Sequence, residues 1–271
     1  MPRTLIVGGT SQIAAALIPQ FDNLRVLTGR PWTPPDGVDH VLVDLSTYDA
    51  RDNRDWLEPY DLILCIAPIM HSARILDWLP ALRGTRAVFL SSNNAALLPD
   101  DPYYDPIRAA ESTIRTASVD AVILHPTAIS GRPGCQVLGK LISSVRQGRP
   151  IMLPGVRMRQ ALVDYRDVAR AVFMASSPSV PAGTYSVNGP ATLTYAEILA
   201  AIETATGRTA RVLNLPARPL RWAGRIAPQI PQLRRAGIHR DPVQPSLPGY
   251  HAEFSVMDMI VTLTRDGPLP S

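Results

Sequence analysis

The chain has 271 residues, of which 46% are hydrophobic and 18% charged, and its formal net charge is +4. This length suits one large domain, and the composition is typical of a globular protein rather than a disordered one. No apolar run approaches the ~18–20 residues of a membrane-spanning helix, and no basic segment followed by a long apolar run opens the chain. We therefore expect no membrane partner and a cytoplasmic location.

The distribution of charged residues and cysteines argues against nucleic-acid binding and against a zinc site or disulfide framework. The basic residues are dispersed, without a basic run interleaved with aromatics, so a nucleic-acid groove is not expected. Cys65 and Cys135 each lack a C-x-x-C partner, so neither a zinc site nor a disulfide framework is expected. Of the 27 basic residues, only Lys140 is a lysine.

Strand-like and helix-like segments alternate through the first two thirds of the chain. The strands are predicted at Thr4–Val7, Leu24–Leu27, Val41–Val43, Leu62–Ile66, Ala87–Leu90 and Ala121–Leu124. Helical stretches are predicted at Ser72–Leu82 and Pro106–Ala117. Near-continuous apolar strands separated by helices predict a parallel sheet that is covered on both faces. Ligands of such sheets bind beyond the carboxyl ends of the strands.

The pattern is looser after Pro126. Helices are predicted at Val137–Arg146, Asp164–Ala175 and Tyr195–Thr206, and a strand at Thr184–Val187. We predict one α/β unit with a doubly wound parallel sheet, built from residues 1–126 and 160–190. Residues 127–159 and 191–271 are predicted to form a small C-terminal substrate lobe that interleaves with it.

A glycine-rich turn follows the first strand. Gly8 and Gly9 allow a sharp bend and a close approach of the backbone to a pyrophosphate, and a helix follows them. Ser11 and Ala14 fill the other two positions of G-x-x-G-x-x-G, where Ala14 still permits close helix–strand packing and the Ser11 hydroxyl is available to a phosphate. An ordinary strand–turn–helix crossing also uses glycines, so this turn alone does not establish a dinucleotide-binding site.

Further motifs follow the later strands in a fixed order. They are Asp44-Leu45, Ala67-Pro68, Ser91-Ser92, Y-D-P-I-R-A-A-E from Tyr104, I-L-H-P-T-A-I-S-G-R-P-G, V-D-Y-R-D-V-A-R-A-V and G-T-Y-S-V-N-G. With this ordered set, residues 1 to about 215 resemble the short-chain dehydrogenase/reductase superfamily, in its extended and atypical, epimerase/dehydratase-like branch. The resemblance implies a Rossmann sheet that binds a nicotinamide dinucleotide. The cofactor-binding residues that it implies are Gly8, Gly9, Thr10, Ser11, Gln12, Ile13, Arg30, Asp44, Leu45, Ala67, Pro68, His125 and Pro126.

Arg30 bears on which dinucleotide is bound. It follows the second strand, where an acidic residue selects NAD and an arginine accommodates the 2′-phosphate of NADP. A guanidinium binds phosphate through two parallel hydrogen bonds and is always charged. This residue predicts NADP(H), although an exposed arginine is also ordinary in an arginine-rich chain.

The resemblance also implies a catalytic set. Ser92, with Ser91 as the second choice, matches the hydroxyl that polarises a substrate carbonyl, and Tyr104 matches the acid/base. Arg108 stands where the family has a lysine. We expect its charge to lower the pKa of the tyrosine and its fork to bond a ribose hydroxyl, but a guanidinium cannot release a proton.

The predicted function is NADP(H)-dependent oxidation or reduction of a compact, partly apolar small molecule. One alternative is an epimerase or dehydratase with a transiently reduced nicotinamide; the other is a sensor or scaffold that binds NADP(H) without turnover. His71 and His125 are either surrogate acid/base groups or structural histidines. His71, Asn93 and Trp222 are candidate substrate contacts, no metal is expected, and pairing through helices, which is common in this superfamily, allows a homodimer.

Overall fold

The structure is a computed structural model that describes residues 3–47, 58–78, 84–132, 134–135, 137–226 and 235–265. The chain divides into two compact units. Unit 1 comprises residues 1–126, 168–187 and 243–250, and unit 2 comprises residues 127–167, 188–242 and 251–271. This division differs from the predicted one at three places. Residues 160–167 and 188–190, which were assigned to the dinucleotide-binding core, belong to unit 2, and residues 243–250, which were assigned to the lobe, belong to unit 1.

Unit 1 is built on a seven-stranded sheet. Its strands are β1 (Thr4–Val7), β2 (Leu24–Thr28), β3 (Asp39–Leu42), β4 (Leu62–Cys65), β5 (Arg86–Leu90), β6 (Asp120–Pro126) and β10 (Gly183–Val187). They lie in the order β10-β6-β5-β4-β1-β2-β3. All neighbouring strands pair in parallel. The predicted doubly wound parallel sheet is therefore confirmed, with strand ends shifted by one or two residues.

The helices of unit 1 lie between these strands. They are α1 (Gln12–Leu17), α2 (Ile69–Ser72), α3 (Ile75–Trp78), α4 (Asn93–Leu97), α5 (Asp105–Thr116) and most of α7 (Tyr165–Ala175). The single helix predicted over Ser72–Leu82 is wrong, because two short helices stand there with a turn at Ala73 and Arg74. Residues 79–83 of that prediction lie outside the described residues.

The core of unit 1 explains why the strands are apolar throughout. Leu5, Val7, Ile63 and Phe89 on the central strands are fully buried, as expected when helices cover both faces of the sheet. The edge strand β3 is different, because its residues range from half-buried to exposed. Its weak hydrophobic pattern accounts for the misplaced prediction at Val41–Val43.

Unit 2 has two small sheets and its own core. Strands β7 (Ala128–Ser130), β9 (Arg159–Asp164) and β11 (Thr192–Thr194) form one sheet, and β8 (Ile151–Leu153) pairs with β12 (Val212–Asn214). The helices are α6 (Leu138–Arg146), α8 (Tyr195–Thr206), α9 (Ala217–Ile226) and α10 (Val256–Arg265). Helices α6, α8 and α10 pack against one another through buried aliphatic side chains.

Helix α8 matches its prediction residue for residue. Thr194 and Glu197 form a reciprocal capping box at its start, and Gly207 ends it with a φ of +63°. These local signals need no tertiary partner, which is why the sequence alone defines both ends. Within the described part of the chain, no helix has the length and apolarity to cross a membrane.

Candidate functional site

The carboxyl ends of β1 and β4 meet where the chain reverses its direction across the sheet. From β1 the chain builds β2 and β3 on one side, and it then returns to form β4 on the other side of β1. The backbone N–H groups of Ile66 and Ala67 both donate to the carbonyl of Val7, at 2.8 and 3.0 Å. This is the topological switch point, the crevice where open α/β sheets bind their ligands.

Gly8 lies in this crevice and has no room for a side chain. Its φ is +100°, a backbone conformation that favours glycine. A Cβ on Gly8 would lie 2.5 Å from the backbone nitrogen of Ala67. The turns after β1 and β4 are thus in direct backbone contact, and any side chain at position 8 would fill the space between them.

Gly9 is required for a different reason from the one predicted. A Cβ on Gly9 would lie 2.1 Å from Cγ1 of Val26 on the neighbouring strand. The N–H groups of Gly8 and Gly9 both donate to the carbonyl of Leu27, at 2.9 and 3.1 Å. Gly9 therefore permits close packing of the turn against β2, and its own N–H is not directed at a ligand.

The start of α1 follows the glycines. The Ser11 hydroxyl accepts a hydrogen bond from the N–H of Ala14 at 3.0 Å and so caps the helix, which leaves its proton for donation elsewhere. Thr10 is exposed, and Ile13 is buried beneath the turn. The Oε1 atom of Gln12 is buried without a hydrogen-bond partner among the described residues. Such an atom is the feature expected beside a polar ligand.

Arg30 lies just beyond the carboxyl end of β2 and is exposed. The hydroxyl of Thr28, the last residue of β2, donates to the Arg30 carbonyl at 2.9 Å. Among the described residues, no carboxylate forms an ion pair with Arg30. The guanidinium is therefore available to an anion at this edge of the sheet.

The loops after β3 and β4 are held by local hydrogen bonds. The Asp44 carboxylate accepts from the N–H and hydroxyl of Ser46, at 2.9 and 2.6 Å, and these bonds hold the pKa of Asp44 below its usual range. Arg74 donates to the carbonyl of Leu45 at 2.8 Å. After β4, the Ser72 hydroxyl donates to the Ala67 carbonyl at 3.0 Å, which fixes the turn that precedes Pro68.

The residues after β5 have structural partners. Ser92 caps α4, its Oγ accepting from the N–H of Asn94 at 3.3 Å. Asn93 is 3% exposed, and its Oδ1 accepts from the N–H of Val243 at 3.0 Å. Asn93 was predicted to contact substrate, but its side chain carbonyl instead ties the segment that begins at Val243 to this unit.

The two adjacent tyrosines differ in exposure. Tyr104 is 6% exposed, whereas Tyr103 is 64% exposed, and their rings meet edge to face with centroids 5.0 Å apart. Both belong to the 3-10 turn Pro102–Tyr104 that leads into α5. Burial marks Tyr104 as the more constrained of the two.

Arg108 does not have the surroundings that its predicted role requires. Its two terminal nitrogens donate to the carbonyls of Leu98 and Asp101, at 3.0 and 2.9 Å, and to Ala95 at 3.3 Å. It also forms an ion pair with Asp105. These contacts occupy the fork that was predicted to bond a ribose. Arg108 therefore fastens the α4–α5 connection, and the prediction that it serves Tyr104 and the cofactor is corrected.

A buried polar cluster beneath the ends of β5 and β6 was not predicted. Glu111 is 3% exposed; it accepts from the Ser91 hydroxyl, and one carboxylate oxygen lies 2.8 Å from Nε2 of His125. Arg115 donates to the other oxygen at 2.6 Å. Burial opposes ionisation of Glu111, but the contacts with His125, Ser91 and Arg115 outweigh it, so the pKa of this carboxyl is lowered. The only signal in the sequence was a glutamate within the apolar face of a helix.

The cluster also corrects the placement of His125. The residue lies within β6, not beyond it, and its side chain is fully buried. Pro126 is the last residue of β6 and pairs with Val187. His125 is therefore a partner of Glu111 in the interior and does not line the open edge of the sheet.

Two further candidates lie on helices. His71 is half-buried on α2, at the carboxyl edge of β4. Trp222 belongs to unit 2, where it is 65% exposed on α9 together with Ile226.

Comparison with solved structures finds the same fold in proteins of low sequence identity. UDP-glucose 4-epimerase of Thermus thermophilus, in complex with NAD, is 18% identical, with a TM-score of 0.64 over 97% of this chain and 98% of that chain. UDP-glucuronic acid 4-epimerase of Bacillus cereus, in complex with a fluorinated UDP-sugar and NAD, is 12% identical, with a TM-score of 0.72 over 98% and 100%. L-Threonine dehydrogenase of Cupriavidus necator is 17% identical, with a TM-score of 0.66 over 98% and 99%.

No family model matches the sequence, and no curated protein matches it significantly. The likeness to the solved structures is one of fold, and it confirms the fold that the sequence motifs implied. The chain has the Rossmann-type fold of these solved epimerases and of the solved dehydrogenase.

Proposed function

We propose that the protein is a nicotinamide-dinucleotide-dependent oxidoreductase that prefers NADP(H) and reduces a compact, partly apolar small molecule. The observation that carries this proposal is the backbone contact between Gly8 and Ala67 at the switch point. Position 8 has room only for hydrogen, and the first turn of α1 follows directly.

The residues around this turn fit a dinucleotide. The first N–H groups of a helix have no partner within it, so those of Gln12 and Ile13 are suited to a pyrophosphate. The Ser11 hydroxyl retains its proton, and Gln12 has a buried oxygen without a partner among the described residues. A nicotinamide bound here would supply hydride exchange with a carbon of the substrate.

Arg30 supports NADP(H) over NAD(H). It follows β2, it is exposed, and it has no ion-pair partner among the described residues. A charge-assisted hydrogen bond contributes about 1.5–3 kcal/mol, which corresponds to about one to two decades in affinity. The solved epimerases above were crystallised with NAD, so this preference would set the present chain apart from them.

The catalytic proposal rests on Tyr104 and Ser92. A phenolic hydroxyl can donate a hydrogen bond and can act as a general acid toward a bound substrate. With Arg108 committed to backbone carbonyls, Tyr104 is suited to protonate the oxygen of a substrate carbonyl during reduction. Ser92 would hold that oxygen.

The apolar character proposed for the substrate rests on α9. Trp222 and Ile226 are both 65% exposed on this helix of unit 2. Large apolar side chains exposed together commonly mark a binding surface. A compact ketone, enone or imine suits such a surface better than a highly charged ligand.

A second candidate function is supported by one observation. Arg108 replaces the lysine of the family and is engaged elsewhere, and Lys140 is on α6 of unit 2. A chain without the proton relay of the family would bind NADP(H) without turnover, as a sensor.

The test that separates these functions compares turnover with binding. A panel of small ketones, enones and imines is assayed with NADPH against the unmodified chain and Tyr104→Phe. We expect turnover to be lost in Tyr104→Phe while NADPH affinity is retained. Equal turnover by both proteins would exclude Tyr104 as the acid, and tight NADPH binding without any turned-over substrate would favour the sensor.

A further inference from the structure

We propose that His40, on the edge strand β3, is a positioning residue that sets the preference for NADP(H) by fixing the turn from which Arg30 projects. The inference rests on the function proposed above and extends it to a residue outside the dinucleotide motifs. His40 is half-buried and pairs with Val26 in the register of β2 and β3.

The first contact is a relay through one hydroxyl. Nε2 of His40 lies 2.7 Å from the Thr28 hydroxyl, which in turn lies 2.9 Å from the Arg30 carbonyl. A hydroxyl has a single proton, and Thr28 donates it to Arg30. Thr28 must therefore accept from His40, which requires a hydrogen on Nε2. Thr28 is 1% exposed, so water does not compete for these bonds.

The second contact lies on the other side of Arg30. The rings of His40 and Trp32 meet nearly at right angles, with centroids 5.3 Å apart. This arrangement is the favourable edge-to-face geometry of aromatic pairs. One imidazole thus contacts Thr28, which precedes residues 29–31, and Trp32, which follows them.

These two contacts matter because the Arg30 side chain is exposed and extends from the turn that they hold. The guanidinium has no ion-pair partner in the described part of the chain. A long side chain that must be ordered on binding loses affinity, and a fixed backbone reduces that loss. His40 would therefore strengthen the contact of Arg30 with a 2′-phosphate without touching the ligand.

The experiment measures dissociation constants for NADPH and NADH by calorimetry in matched variants. His40→Phe retains a ring against Trp32 but removes the N–H, whereas His40→Gln retains an N–H donor. The ratio of the two affinities is the readout, because a general loss of structure would weaken both cofactors alike. His40→Phe is then also made in an Arg30→Ala background.

We expect the preference for NADPH to fall by about three- to tenfold in His40→Phe, the size of one lost neutral hydrogen bond. In His40→Gln it should stay within about twofold, and in the Arg30→Ala background His40→Phe should change nothing further. Should His40→Phe fail to fold, Thr28→Val removes the same relay at nearly the same volume and should show the same loss.

The inference would be overturned if the ratio of NADPH to NADH affinity were unchanged in His40→Phe or Thr28→Val. It would also be overturned if His40→Phe lowered that ratio equally in the Arg30→Ala background. Equal binding of NADPH and NADH to the unmodified chain would overturn it together with the role of Arg30 while leaving dinucleotide binding intact. Failure of the unmodified chain to bind either dinucleotide would instead remove the proposed function itself.

Discussion

Arg108 and Glu111 lie one turn apart on α5, and their surroundings give them different roles from those that their motif suggests. The guanidinium of Arg108 donates hydrogen bonds to the carbonyls of Leu98 and Asp101 at the connection between α4 and α5. Glu111 instead forms a buried cluster with His125 and Ser91. At the scale of single residues, α5 therefore holds the α4–α5 connection through Arg108 and the ends of β5 and β6 through Glu111.

Arg108→Ala should lower stability without changing cofactor affinity. Removing the fork takes one donor from each of three backbone carbonyls, although those of Leu98 and Asp101 keep a backbone donor, and we expect a loss of about 1–3 kcal/mol in the free energy of unfolding. Urea denaturation measures this loss, and calorimetry should find NADPH affinity within about twofold of the unmodified chain. Unchanged stability with a large loss of NADPH affinity would show that Arg108 contacts the cofactor after all.

Glu111→Gln should lower stability in a pH-dependent manner. The folded-state pKa of Glu111 is lowered, so its contribution is present above the unfolded value of ~4.3 and is lost as pH falls through the folded value. At pH 7 we expect Glu111→Gln to lower the free energy of unfolding by about 1–3 kcal/mol. The difference from the unmodified chain should shrink below about pH 4. A difference that is constant from pH 7 to pH 3 would contradict the ionised cluster.

At the scale of elements, the turn after β1 packs directly against the turn after β4. Gly8 meets the turn after β4, and Gly9 meets the side chain of Val26 on β2. The glycines thus serve the packing of the sheet edge as much as its binding surface.

A matched pair of glycine substitutions isolates this packing. Gly8 and Gly84 both belong to unit 1 and have φ values of +100° and +83°, but a Cβ on Gly84 would meet nothing within 4 Å. Gly84→Ala should therefore cost only the backbone strain, about 1–2 kcal/mol in the free energy of unfolding. Gly8→Ala adds a clash with Ala67 and should cost clearly more. Equal losses of unfolding free energy in Gly8→Ala and Gly84→Ala, measured by thermal or urea unfolding, would show that position 8 has room for a side chain beside Ala67.

How much the sequence predicts depends on how local the cause of each feature is. The ends of α8 follow from Thr194, Glu197 and Gly207, which are near neighbours in the chain, and the prediction is confirmed. The partner of Asn93 is Val243, 150 residues away, and nothing near Asn93 reveals it. Most strands of the sheet were predictable because each is a continuous apolar run, whereas the break between the two short helices after β4 was not predicted.

The same distinction explains the errors at the site. The position of the site was predictable, because glycines after β1 and the order of strands mark the carboxyl edge of the sheet. The commitment of Arg108 to loop carbonyls was not, because the motif fixes only its spacing from Tyr104. The hydrogen-bond partners of Arg108 depend on the groups that the fold places around it, which its position in the motif does not specify.

At the scale of the whole molecule, we predict one dinucleotide per chain. The net charge of +4 favours an anionic ligand, and the crevice lies entirely within unit 1. A ligand that binds only the folded state stabilises it by about 2.7 kcal/mol at a hundred times its dissociation constant. Unfolding of the protein should therefore shift to higher temperature with NADPH.

The most direct test is a calorimetric titration of NADPH into the unmodified chain, Gly84→Ala and Gly8→Ala. We predict one molecule bound per chain, similar affinity in Gly84→Ala, and an affinity at least about tenfold weaker in Gly8→Ala, where a Cβ disturbs the crevice. Absence of binding to the unmodified chain, or equal affinity in all three proteins, would contradict a dinucleotide site at the switch point.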